Sequence, residues 1–417
     1  GSAQSRGGRI ELVSEVVHPA VGSQEARAAA LQAQSMTIHP LVLVVGDDEH
    51  IVPAKTLKTW IAFGQAADGS GYLPSVVAAK VRAGVKKLVP NIDRAPANAG
   101  FVARDGRVVK VIPSRDGRKL DVAASTARIS EALAAITPTS PRPRVDLVVT
   151  ATAPALTTEQ AQAYAPKMRR LSSHTTVYTP SEKNFFGRNI SIPTSIIDGY
   201  VVAPGEWFDF WVVVGEVSRA RGFGPGGAII NGRTEPTGAL AGGICSCSTT
   251  LFNAALKAGL ELGARRNHYY YINRYPLGLD ATVFKSSSGS TQTMSFRNDT
   301  PYPVLVRGIN DFGKVTFQIY SVPNGRTVSV GAPRTANFRP ARDSVVYTDT
   351  LPAGARKRIE YPVDGLDVWR TWTVRDANGT IIHQKTFYSH YARITGIVLV
   401  GRGSTDTNDT SGDAGGG

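Results

Sequence analysis

Cysteine and methionine are almost missing from this chain: its 417 residues hold 2 Cys and 3 Met. Two cysteines exclude a disulfide-dense scaffold and a four-cysteine zinc site. Long apolar runs are missing too. Stretches such as Leu41 to Val45 fall far short of the roughly 18–20 residues that span a bilayer. No secretory signal opens the chain. Its start, Gly-Ser-Ala-Gln-Ser, reads as the scar of a cleaved tag, so a native export signal or membrane anchor removed with it stays open. Acidic residues are the minority, 33 Asp+Glu against 47 Lys+Arg, giving a net charge of +14 and a pI near 9.8. The basic residues are scattered, with short clusters such as Lys167-Met168-Arg169-Arg170 and Arg356-Lys357-Arg358. No nucleic-acid-binding motif accompanies them, so nucleic acid is not an expected partner. An anionic surface, such as a bacterial wall or lipid headgroups, would attract such a chain non-specifically; plain solubility is the alternative reason for the charge.

What is present is enough to fold. Hydrophobic residues make up 42% and charged residues 19%, while 42 Gly and 25 Pro imply many turns. At roughly 150 residues per domain the length allows two or three domains. The pattern predicts a multidomain α+β protein: an α+β N-terminal domain, a central mixed α/β domain carrying Cys and His, and a small C-terminal β domain. In the first part, Gln24 to Gln34 and Ala123 to Ala135 read as helices, and Ala54 to Phe63 as a short amphipathic one. Leu41 to Val45 and Val145 to Thr150 read as strands, and Phe101 to Ile112 as a hairpin turning at Asp105-Gly106. Leu171 to Glu182 is rich in Ser and Thr and reads as a linker. The expected boundaries are 9–170, a linker at 171–183, 184–326, 327–401, and a disordered tail at 402–417, with residues 1–8 flexible. In the third part, Trp369 to Val374 and Ile381 to Tyr391 read as strands joined by a turn at Asp376-Ala-Asn-Gly379.

The chemistry concentrates in Ala241-Gly-Gly-Ile-Cys-Ser-Cys-Ser-Thr-Thr-Leu-Phe-Asn-Ala-Ala-Leu256, which holds both cysteines. Ser248 or Thr249 is a fitting N-cap for a helix with Leu251, Ala254, Ala255 and Ala258 on one face. Cys245 is then expected in the loop at the helix start, where a thiol pKa is depressed and nearby amides can hold an oxyanion. His268, on a β-prone run, is the candidate base, and Asp280, beyond a turn, the group that orients it. Arg265 and Arg266 are candidates to bind a carboxylate. The plain alternatives remain: a buried inert Cys245, Asp280 capping a turn, Arg265 and Arg266 as a solvated pair, and tyrosines 269–271 as strand core. A disulfide between Cys245 and Cys247 would close a strained small ring, and a metal site from Cys245, Cys247 and His268 lacks a usual zinc spacing. No metal or other cofactor is expected.

The central segment resembles the VanW family of bacterial cell-envelope proteins. Pro204-Gly-Glu-Trp-Phe-Asp-Phe210 matches the family's Pro-Gly-Glu-x-Phe-Ser-Phe, and Gly222-Phe223 and Ile230-Asn-Gly232 match its next landmarks. Gly242 to Ala255 matches Gly-Gly-x-Cys-Gln-x-Ser-Thr-x-Leu-x-Asn-Ala, with Ser246 in place of the commoner Gln and Cys247 where an aliphatic residue is usual. Arg265 to His268, Tyr275-Pro-Leu-Gly278, Asp280-Ala-Thr-Val283 and Phe296-Arg-Asn-Asp-Thr-Pro301 complete the series. Residues 10–165 look like the peptidoglycan-binding domain that often precedes it, and 327–400 like a G5-type β domain. The resemblance implies an extracytoplasmic protein of the bacterial wall. Some members are regarded as L,D-transpeptidases, which maps the nucleophile onto Cys245, with His268 and Asp280 in support. It implies peptidoglycan stem peptides and wall glycan as partners, with Arg265, Arg266, Ser248, Thr249 and Tyr275 as substrate contacts. A wall-binding module without catalysis and a Cys/His peptidase of the wall are the alternatives.

Overall fold

The computed structural model describes residues 15, 21–65, 71–180, 185–230, 233–285, 289–311 and 313–402. The expected flexible start, and all of the expected disordered tail beyond Arg402, lie outside the described residues. The protein is α+β and multidomain, and divides into two compact units: residues 1–97 with 116–153, and residues 98–115 with 154–417.

The first unit is built on Leu41–Val45, an all-apolar, fully buried strand that pairs antiparallel with Asp48–Val52 and parallel with Arg144–Asp146. Helices Ala78–Lys86 and Val122–Ala134 supply Val81, Val85, Ile129 and Leu133 to its core; Asp121 caps the second by accepting from the amides of Ala123 and Ala124. Two expectations need correction here. The helix from Ala54 stops at Trp60, and Ile61–Gln65 turns into a strand, because Ile61 pairs with Val76 across a hairpin. The apolar run after Val145 is also broken into two short strands, Arg144–Asp146 and Val149–Thr152, which join different sheets.

The second unit holds a six-stranded antiparallel sheet in the order Val201–Val202, Val304–Asp311, Lys314–Ser321, Arg169–Val177, Arg107–Ile112, Gly100–Arg104. Asp105 and Gly106, both at positive φ, form the expected hairpin turn. The Ser/Thr-rich segment read as a linker is instead the strand Arg169–Val177. Two of its hydroxyls face a buried helix: Ser172 Oγ donates to the Ala254 carbonyl at 2.6 Å, and Thr250 bonds Thr176 at 2.7 Å. Hydrogen-bonding side chains thus fill inward positions where apolar alternation was sought.

That buried helix, Cys245–Ala258, is the centre of the unit. All its residues except Cys245 and Lys257 are buried, and Leu251, Phe252, Ala254, Ala255 and Leu256 lie in the main core. The C-terminal β segment packs on the same core. Strand Gly365–Arg375 pairs with Thr327–Val330, Arg334–Arg339 and Ile381–Tyr391, and the turn at Asp376 to Gly379 closes as expected. Trp372 and Phe387 from this sheet are buried against the helix: Trp372 Nε1 donates to the Leu256 carbonyl at 3.0 Å, and Phe387 meets Phe252 edge-on at 5.7 Å. A second, three-stranded sheet pairs Asp343–Thr348 parallel, and Arg356–Glu360 antiparallel, with Gly396–Gly401.

Candidate active site

The site begins where the chain turns into the helix Cys245–Ala258. Gly242 packs against Gly226 so closely that a Cβ there would lie 2.3 Å from the Gly226 carbonyl carbon. Asn189, fully buried, holds this turn: its amide donates to the carbonyls of Gly224 and Gly242 at 2.9 Å each, and its carbonyl accepts from Gly224 N–H at 3.0 Å. The helix starts earlier than Ser248 or Thr249 would cap it, and Cys245 occupies its first turn. This corrects two expected substrate contacts. Ser248 and Thr249 lie inside the helix, fully buried, and both donate to the Ala281 carbonyl, at 2.6 and 3.2 Å; the Ala281 amide donates back to Thr249 Oγ1 at 3.0 Å. Asn253 Nδ2 donates to the Leu279 carbonyl at 2.9 Å. The helix thereby pins both neighbours of Asp280.

No strand carries His268; residues 263–283 are irregular and are held by side-chain bonds. Thr282 N–H donates to the Arg266 carbonyl at 2.8 Å, closing the excursion, and Asp280 reaches His268 across it. Both residues are buried, and Asp280 Oδ2 accepts from His268 Nδ1 at 2.6 Å. With Nδ1–H given to the carboxylate, the neutral ring presents a lone pair at Nε2. That atom is buried without a hydrogen-bond partner among the described residues, and the charge it answers to is the Cys245 sulfur. Burial opposes the charged imidazolium, yet the Asp280 hydrogen bond and then Cys245 raise the His268 pKa to about 9. The Cys245 pKa is lowered. Burial works against the thiolate, but His268 outweighs it, aided by the Thr282 hydroxyl at 3.4 Å and the Val283 N–H at 3.5 Å. The three groups read from the sequence are therefore assembled as sulfur, imidazole and carboxylate, an arrangement able to pass the thiol proton to Nε2 and hold the resulting ion pair.

Cys247 is different in kind. It is fully buried, receives only the Thr194 hydroxyl at 3.7 Å among the described residues, and burial drives its pKa upward. The two arginines also part. Arg265 was a candidate for a substrate carboxylate, but its side chain is 4% exposed and its donors are taken. It gives hydrogen bonds to the Asp280 carbonyl and Oδ1, the Gly278 carbonyl, Ser389 Oγ and the Tyr388 carbonyl. Arg266 is exposed. Tyr275 is buried, stacks on His268 with ring centroids 5.2 Å apart, and bonds Ser246 Oγ at 2.9 Å. Burial pushes its pKa up to about 12, which keeps the phenol protonated.

Sequence reasoning missed Arg274. Its guanidinium lies over the Tyr275 ring at 4.7 Å and donates to the Tyr275 hydroxyl at 3.1 Å, while its Nε is buried with no partner among the described residues. Adjacency to Tyr275 was the one available signal. Main-chain amides were expected to hold an oxyanion around Ser246 to Ser248, but those of Ser246 and Cys247 already bond Gly243 and Ile244 carbonyls at 3.0 Å.

Among known proteins, residues 187–320 match the family described as "VanW like protein", and residues 48–139 the one described as "Putative peptidoglycan binding domain". The uncharacterized protein YoaR of Bacillus subtilis is 35% identical over 153 residues, 37% of this chain and 48% of that protein. The vancomycin B-type resistance protein VanW of Enterococcus faecalis is 26% identical over 141 residues, 32% of this chain and 48% of the relative. The chain thus spans about half the length of the curated relatives it matches. An Enterococcus faecium L,D-transpeptidase mutant superposes over 35% of this chain and 51% of its own, at 11% identity and a TM-score of 0.20, too slight to carry any argument about activity. No helix among the described residues is long and apolar enough to cross a membrane.

Proposed function

We propose that this chain, a VanW-family cell-envelope protein, is a cysteine acyltransferase of the L,D-transpeptidase kind acting on peptidoglycan stem peptides. The observation that carries the reading is the Cys245–His268–Asp280 series, in which a buried imidazole is held by the carboxylate on one nitrogen and answers to the sulfur on the other. The thiolate of Cys245 attacks the carbonyl between an L-centre and a terminal D-Ala. The C–N bond breaks, His268 Nε2 gives its proton to the leaving D-Ala amine, and a thioester remains. The amine of a neighbouring stem attacks the thioester, loses its proton to Nε2, and the thiolate returns with a new peptide cross-link. Water in place of the amine gives a carboxypeptidase outcome with the same residues.

The oxyanion is assigned to the Cys245 N–H, which has no hydrogen bond among the described residues, and to the Tyr275 hydroxyl. Tyr275 accepts from Arg274, and a neutral phenol backed by a cation is a good donor to developing negative charge. The stem carboxylate is assigned to Arg274 Nε and the exposed Arg266, in place of Arg265, whose donors are taken internally. The N-terminal match supports a hold on wall peptidoglycan by that part of the chain, and an extracytoplasmic location follows from the same substrate. The β segment 327–401 is read as G5-like.

Intact mass spectrometry of the protein with a purified disaccharide-tetrapeptide, and in parallel with a carbapenem, tests this. An adduct on Cys245 with D-Ala released is the expected result. No adduct, with a thiol that resists alkylation under reducing conditions, would overturn the reading in favour of a wall-binding module.

A further inference from the structure

We infer that Tyr391, at the end of the C-terminal β segment, is a positioning residue of the active site, so that this segment completes the site instead of accompanying it; the inference rests on the nucleophile reading above. Tyr391 closes the strand Ile381–Tyr391 and is fully buried. Its hydroxyl donates to Asp280 Oδ1 at 2.5 Å and accepts from the Gly278 N–H at 3.1 Å. The carboxylate is thereby divided in function: among the described residues Oδ2 serves only His268, and Oδ1 is held by Tyr391 and by Arg265 Nη2 at 3.1 Å.

The second of those holds leads back to the same strand. Phe387, Ser389 and Tyr391 are its buried face, at the two-residue period of an extended chain. Ser389 Oγ accepts from Arg265 Nη2 at 2.9 Å, the Tyr388 carbonyl accepts from Nη1 at 3.3 Å, and the Phe387 ring lies 5.8 Å beneath the guanidinium. Both fixings of Oδ1 therefore end on one strand of the terminal segment. Freed of them, the carboxylate can rotate about its Cβ–Cγ bond, and Oδ2 no longer has a single direction in which to hold the His268 ring. Burial and the Asp280 charge raise the Tyr391 pKa, so the hydroxyl keeps the proton it donates.

The test uses the full chain and reads the sulfur directly, without substrate. The rate of iodoacetamide alkylation of Cys245 is followed from acid to alkaline pH in wild type, Tyr391→Phe and Ser389→Ala, with thermal unfolding in parallel. Tyr391→Phe keeps the ring and its packing on Tyr271, so the expected result is a folded protein whose alkylation at neutral pH is slower by roughly tenfold and whose midpoint moves to higher pH. Ser389→Ala is expected to move the midpoint the same way by a smaller amount, and it carries the test alone if Tyr391→Phe does not fold. A folded variant with a lower Tm but an unmoved midpoint would mean that Tyr391 only packs, and would overturn the inference. A wild-type thiol that titrates like free cysteine would overturn the nucleophile reading itself, and this one with it.

Discussion

A single oxygen of Asp280, Oδ2, lies 2.6 Å from both the backbone nitrogen and the ring Nδ1 of His268. One atom thus fixes the main chain and the side chain of the same residue, which leaves the ring a single orientation and a single tautomer. Asp280→Asn keeps the shape but can present an N–H to Nδ1, which would turn the lone pair away from the sulfur. Acylation rates with a stem tetrapeptide are expected to fall by roughly 10²–10⁴ with little change in KM. A loss below about tenfold would show that Asp280 merely caps its turn.

The ion pair sets the pH dependence. The thiolate must be present, and its pKa is lowered; the imidazolium must also be present to protonate the leaving amine, and its pKa stands at about 9. Activity is therefore expected to rise with pH through the depressed Cys245 ionisation and to fall as His268 loses its proton near pH 9. His268→Gln removes the alkaline limb and returns the thiol midpoint upward, which alkylation rates will register.

Cys247→Ala is expected to leave adduct formation intact and to cost about 1–2 kcal/mol of stability through a small cavity. Cys245→Ala is expected to abolish the adduct and leave the Tm nearly unchanged. The reverse pattern, by mass spectrometry and thermal melts, would reassign the nucleophile.

Gly242→Ala places a Cβ 2.3 Å from the Gly226 carbonyl carbon and 2.7 Å from the Gly227 carbonyl oxygen, backbone atoms and not the end of a flexible side chain. Its cost is expected to exceed about 3 kcal/mol, because the turn that seats Cys245 must open. Denaturant unfolding would reveal it, and a fully active, equally stable variant would contradict the described turn.

Arg274→Gln is expected to raise KM for a stem peptide by roughly tenfold, the scale of one charge-assisted hydrogen bond. Alkylation by neutral iodoacetamide should change far less. Equal loss in both assays would place Arg274 in the support of Tyr275 and not against the substrate.

Local order was legible wherever one short segment decided it. The hairpin at Asp105-Gly106, the turn at Asp376 and the helix after the double glycine follow from turn chemistry and periodicity. Cys245, His268 and Asp280 stand out in the sequence as candidates because few residue types do such chemistry. What each neighbour does was not. Ser248 and Thr249 look like cap and substrate residues, yet inward-facing hydroxyls on a buried helix bind the backbone of another segment. Arg265 looks like an anion binder until its low exposure shows that every contact is internal. Tyr391 carries no local signal at all, since its partner Asp280 lies 111 residues earlier in the chain.

The interleaving of the two units has a consequence for anyone who would treat them as exchangeable cassettes. The chain passes between them at 97/98, 115/116 and 153/154, so the hairpin of Gly100–Arg104 and Arg107–Ile112 is encoded inside the stretch that otherwise makes the first unit. Arg107 pairs with Arg169 in the six-stranded sheet. A shortened gene beginning near residue 154 would strip two strands from that sheet and expose a bare edge to self-association. A clean swap needs the hairpin carried along with the second unit, which makes the border a splice with several junctions and not a single cut.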